Sequence, residues 1–296
     1  MQFDEQMLKL LRCVHVNTPW RYLLEHMEIV LENRINVEVG FDAEGLDSAP
    51  RAELKCVAAR LSDRGCRATL HGPFWDLSPG SLDPLVRRVT RHRLDQLFEM
   101  VRIFSPVQIV CHTGFDPRHH DGYRNVWMDH SCETWESVVK KSEDLKVPLL
   151  IENVWEDDPG IHMELFSRLD SPYFGFCLDV GHQHSFSKSS LTVWLEALWD
   201  RLVELHLHDN DGTRDTHFPI GQGTIDFTGL FNFLEGVNRD PLVTLEPHSE
   251  EHLAETLSGL LEVIQSRQCA PCRLRFDDEA EDGGSYGRGH LPKCVH

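Results

Sequence analysis

Long apolar runs are missing from this sequence. None approaches the ~20 residues that a membrane-spanning helix needs, and none has the flanks of one. The opening Met1-Gln-Phe-Asp-Glu is acidic and lacks the basic region and apolar core of a secretory signal, which predicts a cytoplasmic protein. Basic residues are scarce too. Lys and Arg number 29 against 48 Asp and Glu, a formal net charge of −19. Such an excess disfavours DNA or any broad phosphate backbone as partner. A phosphorylated small molecule stays open, because bound metal ions invert the local field. The G-x-G-x-x-G fingerprint of dinucleotide-binding sheets does not follow the first strand pattern.

Hydrophobic residues make up 41% of the chain, enough for a full core. Of nine cysteines, Cys13, Cys56, Cys66, Cys111, Cys132 and Cys177 are scattered singly and read as free thiols in a reducing compartment. The other three fall after Arg267, in a segment without apolar period that contains five acids between Asp277 and Asp282. Residues 267–296 therefore read as a disordered acidic tail. Cys269 and Cys272 have metal-ligand spacing that Cys294 and His296 could complete, but one C-x-x-C near a terminus is a weak signal.

Strand and helix patterns alternate along residues 1–266. Strands are predicted at Arg12–Val16, Ile35–Gly40, Arg67–His71, Val107–His112, Pro148–Glu152, Phe174–Asp179, Leu202–His208 and Leu242–Glu246. Helical patterns follow them, among them one capped by Thr18-Pro19, one over Leu82–Phe104, one over His130–Lys146 and a last one over Glu250–Gln265. Eight strand–helix units in this length predict an α/β fold, a single (β/α)8 TIM barrel. An open doubly wound sheet is the alternative.

Active-site groups of such a barrel collect at the carboxyl ends of its strands. Here those ends carry imidazoles and carboxylates: His71, His112, Glu152, Asp179 with His182 just beyond, His206 and His208, Asp215 and His217 in the next loop, and Glu246. Each alone could be a cap or a hydrogen-bonded structural residue. Together on one rim they predict a divalent metal centre, since clustered charges in a barrel mouth need a partner. His206 and His208 share a strand face. His206 is taken as ligand, and His208 as its neighbour or a substrate contact. Arg118, His119, His120 and Tyr123, in the loop after His112, are either substrate contacts or plain surface.

The stretches His71-Gly-Pro-Phe74, His112-Thr-Gly114, Ile151-Glu-Asn153, Cys177-Leu-Asp-Val-Gly-His182, His206-Leu-His-Asp209, Asp215-Thr-His217 with Gly221-Gln-Gly223, and Leu245-Glu246 resemble the xylose isomerase-like TIM-barrel superfamily. That superfamily includes endonuclease IV and the sugar phosphate isomerases and epimerases. The resemblance covers roughly residues 10–265 and leaves out the tail. It implies one of two sites. In the isomerases and epimerases one divalent ion, such as Mn2+, would be held by Glu152, Asp179, His206 and Glu246. In the endonuclease IV branch three Zn2+ ions would be held: one by His71, His112 and Glu152, a second by Glu152, Asp179, His206 and Glu246, and a third by His182, Asp215 and His217.

All nine positions carry suitable residues, so the expectation is a hydrolase of a small phosphodiester with a multinuclear zinc site, in which Glu152 and Glu246 are the catalytic pair. The stretch His71–Gly80 also resembles cobamide-remodelling phosphodiesterases, which implies a corrinoid nucleotide loop as one candidate substrate. The alternative is a sugar or sugar-phosphate isomerase or epimerase in which Glu152 and Glu246 move a proton beside a carbonyl and Phe74, Trp75 or Trp155 walls the sugar. An AP endonuclease acting on DNA is the weakest reading, since no DNA-reading loops are recognisable. A barrel that binds metal or ligand without catalysis is a further alternative.

Overall fold

The structure, a computed structural model, describes residues 3–266. The tail expectation, including Cys269, Cys272, Cys294 and His296, lies outside the described residues. The chain runs α1 (Glu5–Cys13), β1 (His15–Pro19), α2 (Trp20–Asn33), β2 (Asn36–Gly40), α3 (Ala43–Ser48), α4 (Arg51–Asp63), β3 (Ala68–His71), α5 (Pro84–Phe104), β4 (Ile109–His112), α6 (Pro117–His120), a 3-10 turn, α7 (Arg124–Leu145), β5 (Leu149–Glu152), α8 (Gly160–Arg168), β6 (Phe174–Asp179), α9 (Val180–Phe186), α10 (Leu191–Leu198), β7 (Leu202–Leu207), α11 (Phe227–Gly236), β8 (Leu242–Leu245) and α12 (Glu250–Gln265). The strands pair in parallel in sequence order, and β1 pairs with β8, closing an eight-stranded α/β TIM barrel.

Four local expectations change. The first strand is His15–Pro19 and not Arg12–Val16, because α1 takes up Arg12. Asp4 caps α1 by accepting from Met7 N at 2.8 Å. Thr18 does not cap α2, because its hydroxyl donates to the Val16 carbonyl at 2.8 Å and Pro19 occupies the cap position. The helix expected from His130 begins at Arg124. The turn expected after Asp179 is the helix α9, capped by the Asp179 carboxylate, which accepts from His182 N at 2.6 Å.

Alternation along β6 sorts the core into two regions. Phe174, Phe176 and Leu178 face outward into the layer between strands and helices, together with the fully buried Trp127, Trp135 and Trp194. Each large apolar side chain buried in that layer contributes roughly 1.5–3 kcal/mol. Inside the barrel, Val110, Leu150 and Cys177, covered by Val203, form a small apolar plug. The rest of the interior is polar, which places hydrogen-bonded and charged groups directly beneath the rim. Among the described residues no helix is long and apolar enough to cross a membrane.

Candidate metal centre

The strand register brings the rim residues into one connected group. Glu152 on β5 is central and 1% exposed. Its Oε2 lies 3.1 Å from His71 Nε2 and 3.3 Å from His112 Nε2, and the two imidazoles meet edge to face. The same oxygen is 3.5 Å from His206 Nδ1, which is 3.1 Å from Glu246 Oε1 and 4.0 Å from Asp179 Oδ2. Beyond Asp179, His182 Nε2 and His217 Nε2 lie 3.4 and 3.2 Å from Asp215 Oδ2. All nine predicted positions therefore lie together at the barrel mouth in one connected group.

Several observations fit these groups to metal ions. Two donors of a tetrahedral ion with bonds of ~2.0–2.1 Å sit about 3.3 Å apart, close to the separations within each group. Nδ1 of His71, His182 and His217 is within hydrogen-bond distance of the carbonyl of Gly72, Asn153 and Glu246, at 2.9, 3.1 and 3.0 Å. Donation there leaves Nε2 as a bare lone pair, the arrangement by which outer partners orient metal-ligating histidines. Both ring nitrogens of His206, Nδ1 of His208 and Oδ1 of Asp215 are buried without a hydrogen-bond partner. Such atoms cost free energy unless something else satisfies them.

Electrostatics point the same way. Burial pushes the Glu152 carboxyl up, but the His112 and His206 imidazoles outweigh it and hold it well below the usual range. Burial likewise opposes, and His206 and His217 overcome, in keeping Glu246 ionised. Burial depresses His71 and His217, yet the carboxylates of Glu152 and Glu38 for one, and of Asp215 and Glu246 for the other, lift each to about 9. In the metal-free mouth these two imidazoles therefore hold protons that an arriving ion must displace, so metal binding should release protons.

Sequence reasoning missed a second layer beneath the rim. Glu38 on β2 and Glu204 on β7 are fully buried inside the barrel. Glu38 accepts from Asn17 Nδ2 at 2.9 Å, and Asn17 also donates to Glu246 at 3.3 Å. Glu204 accepts from Gln108 Nε2 at 2.6 Å and from the Thr244 hydroxyl. Burial and the neighbouring Glu38 charge push Glu204 up to about 7. A charged residue in the middle of an otherwise apolar strand, as in Asn36-Val-Glu-Val-Gly40, is the signal that could have revealed them. Glu156 was missed as well: its carboxylate accepts from Thr113 and from Val154 N and folds the loop after β5.

The mouth carries exposed rings. Phe74 stacks on His112 with centroids 4.6 Å apart, and Trp75 beside it is 76% exposed. The base of their loop is clamped: Thr134 donates to the Pro79 carbonyl at 3.0 Å, and Gly80 lies so close to Trp127 that a Cβ would overlap it. In the loop after β5, Trp155 packs on Phe186 and under the Arg118 guanidinium, 4.8 Å from its centroid. Arg118 and His119 pair with Asp116, His120 packs against Phe115 and Trp127, and Tyr123 is exposed. Among the described residues, no hydrogen bond, ion pair or ring contact joins these four to the nine rim residues.

A model of the xylose isomerase-like TIM barrel matches residues 36–266. The chain belongs to that family. The chain is 26% identical to an uncharacterized protein of Methanocaldococcus jannaschii over 67% of its own length and 71% of the relative's. It is 22% identical to a putative L-ribulose-5-phosphate 3-epimerase of Escherichia coli K12, over 66% of this chain and 69% of that one. Among solved structures, a D-tagatose 3-epimerase-like protein superposes with a TM-score of 0.75 and 22% identity, covering 86% of this chain and 97% of the other. A Thermus thermophilus protein soaked with zinc chloride does so with a TM-score of 0.72 and 24% identity, covering 86% and 99%. At such identities these likenesses speak for the xylose isomerase-like fold.

Proposed function

We propose that this protein is a metal-dependent isomerase or epimerase of a sugar or sugar phosphate, with Glu152 and Glu246 as its proton-transferring pair. One observation carries the reading. The two glutamates approach the same atom, His206 Nδ1, from β5 and from the end of β8, at 3.5 and 3.1 Å. Both are held ionised in a buried mouth. Two carboxylate bases beside one binding position are what removal and return of a proton next to a carbonyl require. Asp179 and His206 complete the set that would hold a divalent ion with them. Such an ion, when bound, polarises the carbonyl and makes the neighbouring C–H acidic. One glutamate takes the proton, and the other, once it has drawn a proton from solvent, returns that proton on the opposite side and inverts the carbon. The Phe74 ring, stacked on His112, offers an apolar face to the substrate's carbon skeleton. The similarity to a putative L-ribulose-5-phosphate 3-epimerase supports a sugar-like substrate.

The sequence put phosphodiester hydrolysis first. The order is reversed here because one relative and several fold neighbours are named as epimerases. The hydrolase remains the second reading on one specific observation, the convergence of His182, Asp215 and His217 beside the glutamate pair. Zn2+ and Mn2+ both suit these donors. The test is incubation of Mn2+- or Zn2+-loaded protein with ketoses and ketose phosphates in heavy water. Deuterium appearing at the carbon next to the carbonyl supports the proposal. Cleavage of a small phosphodiester with no exchange on any ketose replaces it with the second reading.

A further inference from the structure

Asp179 lies past the end of the pairing between β5 and β6, whose last partners are Glu152 and Cys177. Its carboxylate is nonetheless a hub. It accepts from His182 N at 2.6 Å and lies 3.1 and 3.2 Å from His208 Nε2. The residue that fixes Asp179 on the β5 side is Asn153, buried like Asp179 itself. The Asn153 amide oxygen accepts from Asp179 N at 3.0 Å, and its Nδ2 donates to the Asp179 carbonyl at 2.8 Å. An amide side chain presents a donor and an acceptor, as a facing strand residue does. This one therefore extends the ladder past the point where β5 leaves it. The backbone of Asn153 serves the same region, since its carbonyl lies 3.1 Å from His182 Nδ1.

We propose that Asn153 is a positioning residue of the metal centre, whose amide holds Asp179 and the start of α9, and with them His182, beside Glu152. Glu152 directly precedes it in the chain, so one short stretch places donors from β5, β6 and α9. Asp179 also caps α9, and its backbone is the point from which His182 is carried. The nearest replacements in shape cannot do the same. Leucine has neither donor nor acceptor, and an ionised aspartate would turn a second acceptor on the Asp179 carbonyl. Without the amide, a buried N–H and C=O lose their partner, and the end of β6 gains free energy by shifting to find others. The inference rests on the rim binding a divalent ion and not on which reaction follows.

The test compares the full chain with Asn153→Leu, Asn153→Ala and Asn36→Leu. Asn36 is the control, buried at the start of β2, at the opposite end of the barrel from the rim. Its amide likewise ties backbone groups: it accepts from Arg67 N at 2.9 Å and donates to the Arg12 and Val14 carbonyls at 3.0 and 3.1 Å. Each protein is loaded with Zn2+ and titrated with a chromogenic chelator well below its melting range. Asn153→Leu should hold zinc about 10–100-fold more weakly than the wild type, the range expected when an outer partner of a ligand is removed. Asn36→Leu should melt earlier and yet hold zinc as the wild type does. With Co2+ in place of Zn2+, the visible bands should shift in Asn153→Leu and stay in place in Asn36→Leu. Asn153→Ala leaves room for water where the amide was, and should show a smaller loss in the same direction. It decides the matter if Asn153→Leu fails to fold by circular dichroism. Wild-type affinity in the Asn153 variant that folds would overturn the proposal, and so would an equal loss in Asn36→Leu. A wild type that holds neither Zn2+ nor Mn2+ would sink the metal centre and the proposal with it. Absence of proton exchange on every ketose would sink the isomerase reading and leave these metal readouts unchanged.

Discussion

Glu38 lies 3.4 Å from Nε2 of His206, while the other nitrogen of the same ring lies 3.1 Å from Glu246. One imidazole thus joins a buried carboxylate below to the rim above. With Nε2 turned to Glu38, Nδ1 is the nitrogen offered to an ion. Glu38→Gln keeps an acceptor for Asn17 but removes the negative charge facing His206. Metal affinity, measured by competition with a chromogenic chelator, should fall about 10–100-fold, the usual effect of losing an outer partner. An unchanged affinity would mean that Glu38 only packs.

Glu152 lies 3.1 Å from His71, 3.3 Å from His112, 3.0 Å from His182 and 3.5 Å from His206, so its loss should be the most damaging. Glu152→Gln is nearly isosteric. Turnover should fall by at least ~10²–10⁴-fold, the contribution of a general base. The thermal melt of the metal-free protein should fall as well, because His71, His112 and His206 lose their buried counter-charge, so turnover is compared well below the melting range. Undiminished turnover would remove Glu152 from the site.

His217 separates the two functional readings. His217→Ala takes a donor from the Asp215 group and leaves Glu152, Asp179, His206 and Glu246 in place. Under the isomerase reading kcat/KM on the ketose substrate should stay within about tenfold of wild type. Under the hydrolase reading phosphodiester cleavage should be lost. The two assays, run on one preparation, distinguish them.

Glu156 should make stability depend on pH. Burial lifts its carboxyl to about 7, against which its bonds to Thr113 and Val154 work only in part. The folded pKa is thus above the unfolded value of ~4.3, so the folded state holds this proton more tightly. The penalty for ionising it is absent below the unfolded pKa, grows as pH rises, and is complete above pH ~7. Glu156→Gln can still pair with both partners if Thr113 reverses its hydroxyl. Its melting temperature relative to wild type should therefore rise between pH 5 and pH 8. A constant difference across that range would show that the group is not titrating there.

The strand ends were legible because each rim group terminates an apolar run: Leu70 before His71, Cys111 before His112, Ile151 before Glu152, Leu178 before Asp179. A polar side chain in that position of a barrel faces the mouth. Helix α1 was hidden because its apolar residues Leu10 and Leu11 run into the first strand with no turn residue between them. The start of α7 was hidden because Tyr123 precedes it without a side-chain cap. Glu38 and Glu204 lie in mid-strand, where a search of strand ends does not look. His206 and His208 lie on one face of one strand, so alternation could not separate their roles. What separates them is three-dimensional: Glu38 under one ring, and Gly181 and Asp179 around the other.

The loop after β3 is fixed at Pro79–Gly80 and carries Trp75 at its other end, 76% exposed. Of the seven tryptophans, Trp127, Trp135 and Trp194 are sealed in the core, Trp20 is buried, and Trp155 and Trp199 are half as exposed as Trp75. The chain thus contains its own optical probe at the mouth. A soluble quencher should reach the Trp75 indole first, and whatever settles over Phe74 and His112 should shield it. Fluorescence can therefore report occupancy of the mouth before any substrate is known.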